Sequence, residues 1–262
     1  MTLNGRTILK YSRVYVDGYD LSGYARSIGP LSCTFQEGSD DPLNAAIVGT
    51  WLGQATISPG TLNAMFDNTS DTGIHALMKT PPAKRTVMVA QGIQAIPAEG
   101  DPVFCGQFRQ SDYIVDPGGT PSALTIKFSP NAADGTSLAY SEPWGKLLHA
   151  YGAATSDGNT AIGVDYGAAS TDGGFAMYQI FAGAPAGGTA AIVVQQASTN
   201  DNASFATILT TTNIDVSVPS AGILALATTA SVEQFIRWNV VCGTATSVTF
   251  SLAFIRGKYK GV

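Results

Sequence analysis

Short runs of alternating apolar and polar residues, each closed by a turn residue, recur along almost the whole chain. Leu31–Gln36 sets Leu31, Cys33 and Phe35 on one side and Ser32, Thr34 and Gln36 on the other. Side chains of a strand alternate between faces, so a repeat of two marks a half-buried strand. In 103–109, Val103, Cys105, Gln107 and Arg109 alternate with Phe104, Gly106 and Phe108. The 29 Gly and 13 Pro are scattered between such runs. Both residues interrupt helices and serve tight turns. Closely spaced turns between β-branched runs are the pattern of a β-sandwich or barrel.

In the first half the pattern predicts strands over 10–16, 31–36, 85–93, 103–115 and 123–129, with a short continuation at 20–27. Asp17-Gly18 is a strong turn dipeptide, and Asp116-Pro-Gly-Gly119 makes the next pair a hairpin. Two stretches read as helix. Asp40-Asp41-Pro42 is an acidic cap with Pro at the first helical position, and Leu43, Ile47 and Trp51 follow at i, i+4 and i+8. That places the main helix near 41–52, capped by Asp40 or Asp41 and ended by Gly53. A shorter helix over 71–78 puts Ile74, Leu77 and Met78 on one face, and Pro81-Pro82 stops it. The expected fold is mostly β: a sandwich or barrel with one flanking helix, then a second β-sandwich. The boundary falls near 140–150, where the texture loosens. Residues 131–135 read as a loop, 142–149 as a turn of helix, and the Gly- and Ser-rich 151–171 as a connector or opening strand. Beyond it strands are expected at 175–182, 189–196, 205–209, 223–228, 235–242 and 248–256, with turns at 200–202 and 220–222. The domains are thus 1–140 and 141–262.

Charge separates the function classes. Only 13% of residues are charged, against about 25% in a typical soluble domain. Burial of surface in an assembly explains the deficit, because interface cores are depleted in charge; a surface of Thr, Ser, Asn and Gly is the alternative. Net charge is −5 and both halves are mildly acidic, −3 over 1–140 and −2 over 141–262. A nucleic-acid binder needs a basic stripe, and the three cations Arg256, Lys258 and Lys260 read instead as a frayed tail. Residues 1–10 lack the apolar core of a secretory signal, and no run of 18 apolar residues occurs, so neither export nor a membrane span is expected. Cys33, Cys105 and Cys242 are odd in number with no C-x-x-C spacing. They read as small core residues, not a disulfide or zinc framework.

The usual chemistry is missing. His75 and His149 have no H-x-x-x-H spacing and no neighbouring Cys, so each reads as structural. Asp40-Asp41 reads as a helix cap before half of a carboxylate pair. Asp17-Gly-Tyr-Asp20 lacks the ligand spacing of a calcium loop. Asp134-Gly135, Asp157-Gly158 and Asp172-Gly173 read as turns. No phosphate-binding Gly-rich loop and no G-x-S-x-G elbow occurs. No catalytic, cofactor-binding or metal residue is therefore named, no cofactor is expected, and the chain reads as a non-enzyme. Trp144, Tyr166, Tyr178 and Trp238 form the one binding option, a sugar-stacking face, although aromatics in alternating strands usually belong to the core. In 235–242, Ile236, Trp238 and Val240 share a face.

Two stretches carry a resemblance. One is Tyr15-Val-Asp-Gly-Tyr-Asp-Leu-Ser-Gly-Tyr24, continuing through Ile28-Gly-Pro-Leu31 into Thr34-Phe-Gln-Glu-Gly38. The other is Phe235-Ile-Arg-Trp238 followed by Thr249-Phe-Ser-Leu-Ala-Phe-Ile-Arg256. Together these resemble the tail-tube proteins of siphophage-like tailed bacteriophages, over about half the chain with their surroundings. The resemblance implies a structural virion protein, assembled in the bacterial host cytoplasm, that stacks with copies of itself in rings and meets other tail proteins. It implies a tube that conducts DNA without binding it specifically, with no membrane partner, and a C-terminal sandwich decorating the exterior. The competing readings are a carbohydrate-binding module and a capsid-decorating sandwich. For contacts between copies, the stretch 36–41 and the hairpin around Pro117 are the expected arms, because both are polar turns able to reach outward.

Overall fold

The computed structural model describes residues 9–40, 49–81, 83–93, 95–130, 143–155 and 158–257. After a 3-10 turn at Leu9–Tyr11, the first-half strands are β1 (Ser12–Val16), β2 (Tyr19–Asp20), β3 (Ala25–Gly29), β4 (Ser32–Asp40), β5 (Gly49–Ser58) and β6 (Thr61–Met65). Helix α1 (Ile74–Met78) precedes β7 (Ala83–Gln91), β8 (Pro102–Asp116) and β9 (Ala123–Pro130). Then come β10 (Trp144–Thr155), β11 (Gly158–Asn159), β12 (Val164–Asp165), β13 (Gly174–Ala184), β14 (Thr189–Ala197) and β15 (Ala206–Thr210). The last strands are β16 (Ile214–Asp215), β17 (Ser220–Ala225), β18 (Phe235–Cys242) and β19 (Ser247–Arg256). Among the described residues the chain is thus mostly β with one α-helix, as its alternation predicts.

The turn chemistry works as read. Asp17 and Gly18 both take positive φ (52° and 85°), and Val16 pairs with Tyr19 across them. Two left-handed residues match the twist of the strands they join. The Asp17 carboxylate also accepts from Thr86 N at 2.8 Å and pairs with Arg85 at 3.0 Å.

Four expectations are corrected. Residues 49–52, assigned to the main helix, lie in β5; residues 41–48 fall outside the described residues, as does the side chain of Trp51. The helix of the fold is α1, where Ile74 and Met78 are buried and Leu77 packs beside them. Residues 144–149, read as a helical turn, open β10. Ser220-Ala-Gly222, read as a turn, begins β17. Arg256, placed in a frayed tail, ends β19 and donates to the carbonyls of Tyr166 (2.6 Å) and Ala168. The loop expected at 131–135 and Asp157 lie outside the described residues.

One sheet crosses both halves, in the order β17-β13-β19-β10-β8-β7-β1-β2, with β9, β6 and β3 attached in turn to β8. The crossing is made by β10, at the expected boundary. Trp144, Gly145 and Lys146 pair with Phe104, Val103 and Pro102 of β8, and the other edge of β10 pairs with β19. The sheet curls until its ends meet. Gln179 of β13, fully buried, accepts from Gly18 N at 2.6 Å and donates to Thr86 O at 3.1 Å. A β-carbon on Gly18 would stand 2.4 Å from Ser220 N, so this approach requires glycine. Tyr15, Met88 and Cys105 from one half meet Met177, Ala253 and Ile255 from the other inside the curl. The opposite faces of the same strands build two further cores. Val87, Val89, Phe104 and Phe108 pack against Leu62, Leu124 and α1. Val248, Phe250, Leu252 and Phe254 pack against a second sheet, β11-β18-β14-β15. A strand buried on both faces loses the alternation of a half-buried one, which explains the continuous apolar run in β19.

Candidate assembly interface

β4 and β5 form a two-stranded sheet of their own, joined by register from Ser32↔Ser58 out to Asp40↔Gly49. Among the described residues no other strand pairs with either. Among the described residues the hairpin is anchored at its root. Leu31 and Ile57 pack against the first-half core, and Ser58 Oγ donates to Phe128 O at 3.2 Å. Gly60 takes φ +67° beside Gly29, and a β-carbon there would lie 2.4 Å from the Gly29 carbonyl carbon. Beyond the root the arm turns to solvent. Thr34, Gln36 and Glu37 are exposed, and Phe35 is 42% exposed. A bulge between Phe35 and Glu37 breaks the ladder there; bulges twist and re-aim a strand. Of the two arms expected from the sequence, 36–41 therefore lies in a free hairpin as far as Asp40. The hairpin around Pro117 is different. Its strands β8 and β9 belong to the large sheet, Gly118 N is capped by Asp116 at 3.0 Å, and only its end exposes Ile114 and Val115.

Beside the arm's root lies a flat polar sheet face. Leu124, Ile126 and Phe128 of β9 point into the core, so Thr125, Lys127 and Ser129 point out. The register aligns Ser129 with Arg109 and Arg109 with Lys84, and Lys127 with Asp112. Ser27, Asn63 and Thr125 form a hydrogen-bonded row on this face, at 2.9 and 3.3 Å, ending in the exposed Ile114. Sequence reasoning missed this face. Lys84, Arg109 and Lys127 are scattered along the chain, and only strand register brings them together.

The remaining residues singled out from the sequence do not assemble a reactive site. His75 meets the Tyr113 hydroxyl at 2.6 Å beside Phe66. His149 is buried, stacked on Phe250 with centroids 4.1 Å apart and edge-on to Trp238, and its Nδ1 lies 3.1 Å from Phe250 O. Burial lowers its pKa to about 4, opposed by that backbone bond. Burial alone raises the Cys105 thiol. Asp20 caps its own turn through Ser22 N, and Asp17 accepts from Thr86 N of the neighbouring β7. Among the described residues no three His, Cys, Asp or Glu gather as a metal site, and no helix is long and apolar enough to cross a membrane. The four aromatics do not form an exposed row. Trp238 is buried with its indole N–H on Glu99 at 3.0 Å, Tyr166 donates to Phe254 O at 2.8 Å, Tyr178 is half-buried, and Trp144 alone is exposed, edge-on to Phe104.

No protein-family model matches the chain, and no curated protein matches it. Among solved structures it is similar to the Dit (gp 19.1) protein of phage SPP1, described as a paradigm of the hub adsorption apparatus in phages infecting Gram-positive hosts. The identity is 10%, the TM-score 0.32, and the match covers 93% of this chain and 99% of that one. It is similar to a chain of the phage P2 baseplate in its activated, Ca-containing conformation at 8% identity and TM-score 0.35, covering 95% and 99%. A third match, the VP2 subviral particle of infectious bursal disease virus, has 11% identity and TM-score 0.21, covering 95% and 68%. Likenesses this distant leave function to the residues themselves.

Proposed function

We propose that this chain is a structural subunit of a bacteriophage tail, joined to copies of itself in rings through the β4–β5 arm, with the tail tube as the specific assembly. The free hairpin carries the proposal. A lone two-stranded ribbon is marginal in water at best, and this one spans 9 and 10 residues with an exposed Phe35. Another surface must complete it. The low charge content agrees, as does the resemblance of 15–38 and 235–256 to tail-tube proteins. An arm that leaves one surface and lands on a different one gives a heterologous contact, which closes rings or extends stacks where a two-fold contact would stop at a dimer. In a tube of such rings the lumen conducts DNA, and the second half, joined to the first through β10, decorates the outside.

Sedimentation and negative-stain microscopy over a range of concentrations test this. Rings or tubes are expected from the full chain, and monomers from a chain whose arm is shortened to its root. Strictly monomeric full-length protein at high concentration, with tail proteins also present, overturns the reading.

A further inference from the structure

We infer that the cleft between the 98–101 loop and β12 binds a neutral saccharide, whose hydroxyls donate to Glu99 and Asp165 and accept from Lys146. Every group named belongs to one chain, so the inference stands apart from the assembly proposed above.

The cleft opens beside β10, where the two halves meet. It measures about 350 Å³, and Glu99, Lys146, Ile162, Val164 and Asp165 line it. Small-molecule sites run from about 300 Å³ upward and favour junctions between domains. Both walls are fixed by the fold. On one side, Gly100 N donates to Leu147 O at 2.7 Å and Leu147 N to Asp101 O at 2.9 Å, which stitches the loop to β10. Ala98 N donates to the Asp101 carboxylate at 2.9 Å and closes the turn. Glu99 accepts the indole N–H of Trp238 on Oε1 at 3.0 Å. That indole is itself packed edge-on to His149 and Phe250. On the other side, Asp165 Oδ1 accepts from Gly167 N at 2.7 Å and from Gln234 at 3.0 Å. Lys146 Nζ lies over the Tyr166 ring and donates to Asp165 O at 2.6 Å.

The groups left over set the ligand. Among the described residues, hydrogen bonds engage one oxygen of each carboxylate and leave Glu99 Oε2 and Asp165 Oδ2 as acceptors. An ammonium has three N–H donors, and Lys146 spends one of them on Asp165 O. Two carboxylates turn away a phosphate or another acid, and the ammonium between them turns away a simple cation. Sugar hydroxyls both donate and accept, so they satisfy the whole set. Their bonds to charged groups are the strong kind. Burial raises the Glu99 pKa against the pull of the Trp238 bond, so a further donor favours its carboxylate. The rest of the lining is aliphatic. Ile162 is 63% exposed and Val164 half-buried, a surface for the C–H face of a puckered ring. Gly100 takes φ +89°, and a β-carbon there would meet only Val164, at 3.9 Å. Glycine leaves that space open.

The test follows the Trp238 indole N–H resonance, which reports on Glu99 directly. The full chain, isotope-labelled, is titrated with free glucose, galactose and N-acetylglucosamine. At least one should shift the resonance saturably, with a Kd of about 1–10 mM, because a few polar contacts in an open cleft bind weakly. Glu99→Gln keeps an acceptor for Trp238 and removes the charge. Lys146→Met removes the donors and keeps most of the stem. Each should weaken binding about tenfold. Ile162→Asp, at an exposed position, replaces aliphatic wall with a third carboxylate and should do the same, which keeps the test decisive if either of the others fails to fold. No saturable shift with any of the sugars overturns the inference. So does native-strength binding in the folded variants. A shift produced by ethylammonium and by no sugar overturns it too, and makes the cleft a seat for a cation.

Discussion

β7 and β4 are both nine-residue strands, yet their surroundings are opposite. β7 lies between two cores, with Val87 and Val89 on one face and Met88 and Ala90 on the other, and has a strand on each side. Among the described residues β4 has one partner strand and, beyond its root, no core. Burial on both faces makes β7 part of what holds the subunit together. β4 contributes little to that, and under the proposed assembly a neighbouring copy completes it. Under the proposed assembly, the contrast divides the sequence into residues whose loss unfolds the subunit and residues whose loss leaves it folded but alone.

The largest effect is expected inside the curl and its flanking cores. Phe104 is fully buried, lies parallel to Phe108 with centroids 6.0 Å apart, and meets Trp144 across the junction between the halves. Phe104→Ala should destabilise the chain by about 3–5 kcal/mol through lost transfer energy and a residual cavity. Because β10 binds β8 to β19, melting should remain a single transition at lower temperature. Two separated transitions in calorimetry would show that the halves unfold independently and that the shared sheet couples them weakly.

Next comes the pH dependence carried by His149. Its folded pKa of about 4 lies below its ordinary 6.5, so between those values the unfolded chain binds more protons than the folded one. Stability therefore rises with pH through this window. It is complete above about pH 6.5 and falls by about 3 kcal/mol as pH drops toward 4. Asp67, Asp165, Asp201 and Asp215 have lowered pKa values from their turn hydrogen bonds, and act only at more acid pH. His149→Gln should flatten the slope of chemical-denaturation stability between pH 4 and 6.5. A slope identical to the native one removes His149 as its source.

Gln179 should matter somewhat less. Gln179→Ala leaves Gly18 N without its buried partner and Thr86 O with Asp17 N as its remaining donor, at about 1–3 kcal/mol. Amide exchange at Gly18 should accelerate in step. A neutral substitution would mean that water replaces the amide where the sheet ends meet.

The same contrast explains what could be read in the sequence. β8, β14, β18 and β19 stood out through alternation or apolar runs and strong turns between them, and β18 matches its expected limits, 235–242. Over 49–52 the expected main helix failed for a definite reason. Leu43, Ile47 and Trp51 are separated by even numbers of residues, so they satisfy a repeat of two as well as one of 3.6. Residues 49–52 follow the first. β10 failed differently. Leu147 and Leu148 are adjacent and both buried, because they face different cores, and bulges around His149 disturb the repeat further. Two-sided burial is a property of the partner strands, absent from local pattern. The arm was visible as a polar stretch at 36–41, whereas the polar outer face of β7-β8-β9 needed the register of three strands.

The smallest effect on the subunit, and the one that separates the two regions most cleanly, belongs to Phe35. Its ring is close to half exposed on a ribbon that no second strand borders among the described residues. Phe35→Ala therefore removes little buried area from the single chain, and its monomer stability should stay within about 0.5 kcal/mol of native. Aromatic side chains nevertheless supply much of the energy at contacts between subunits, so the same substitution should weaken assembly. Paired measurements decide the matter: denaturant unfolding at low concentration, where the chain is alone, and sedimentation at high concentration. A loss of several kcal/mol in the first would place Phe35 in the subunit's own core and make β4 a strand like β7. No change in the second would leave the arm without its anchor, and the ring would have to be held by Glu37 and the rest of the hairpin.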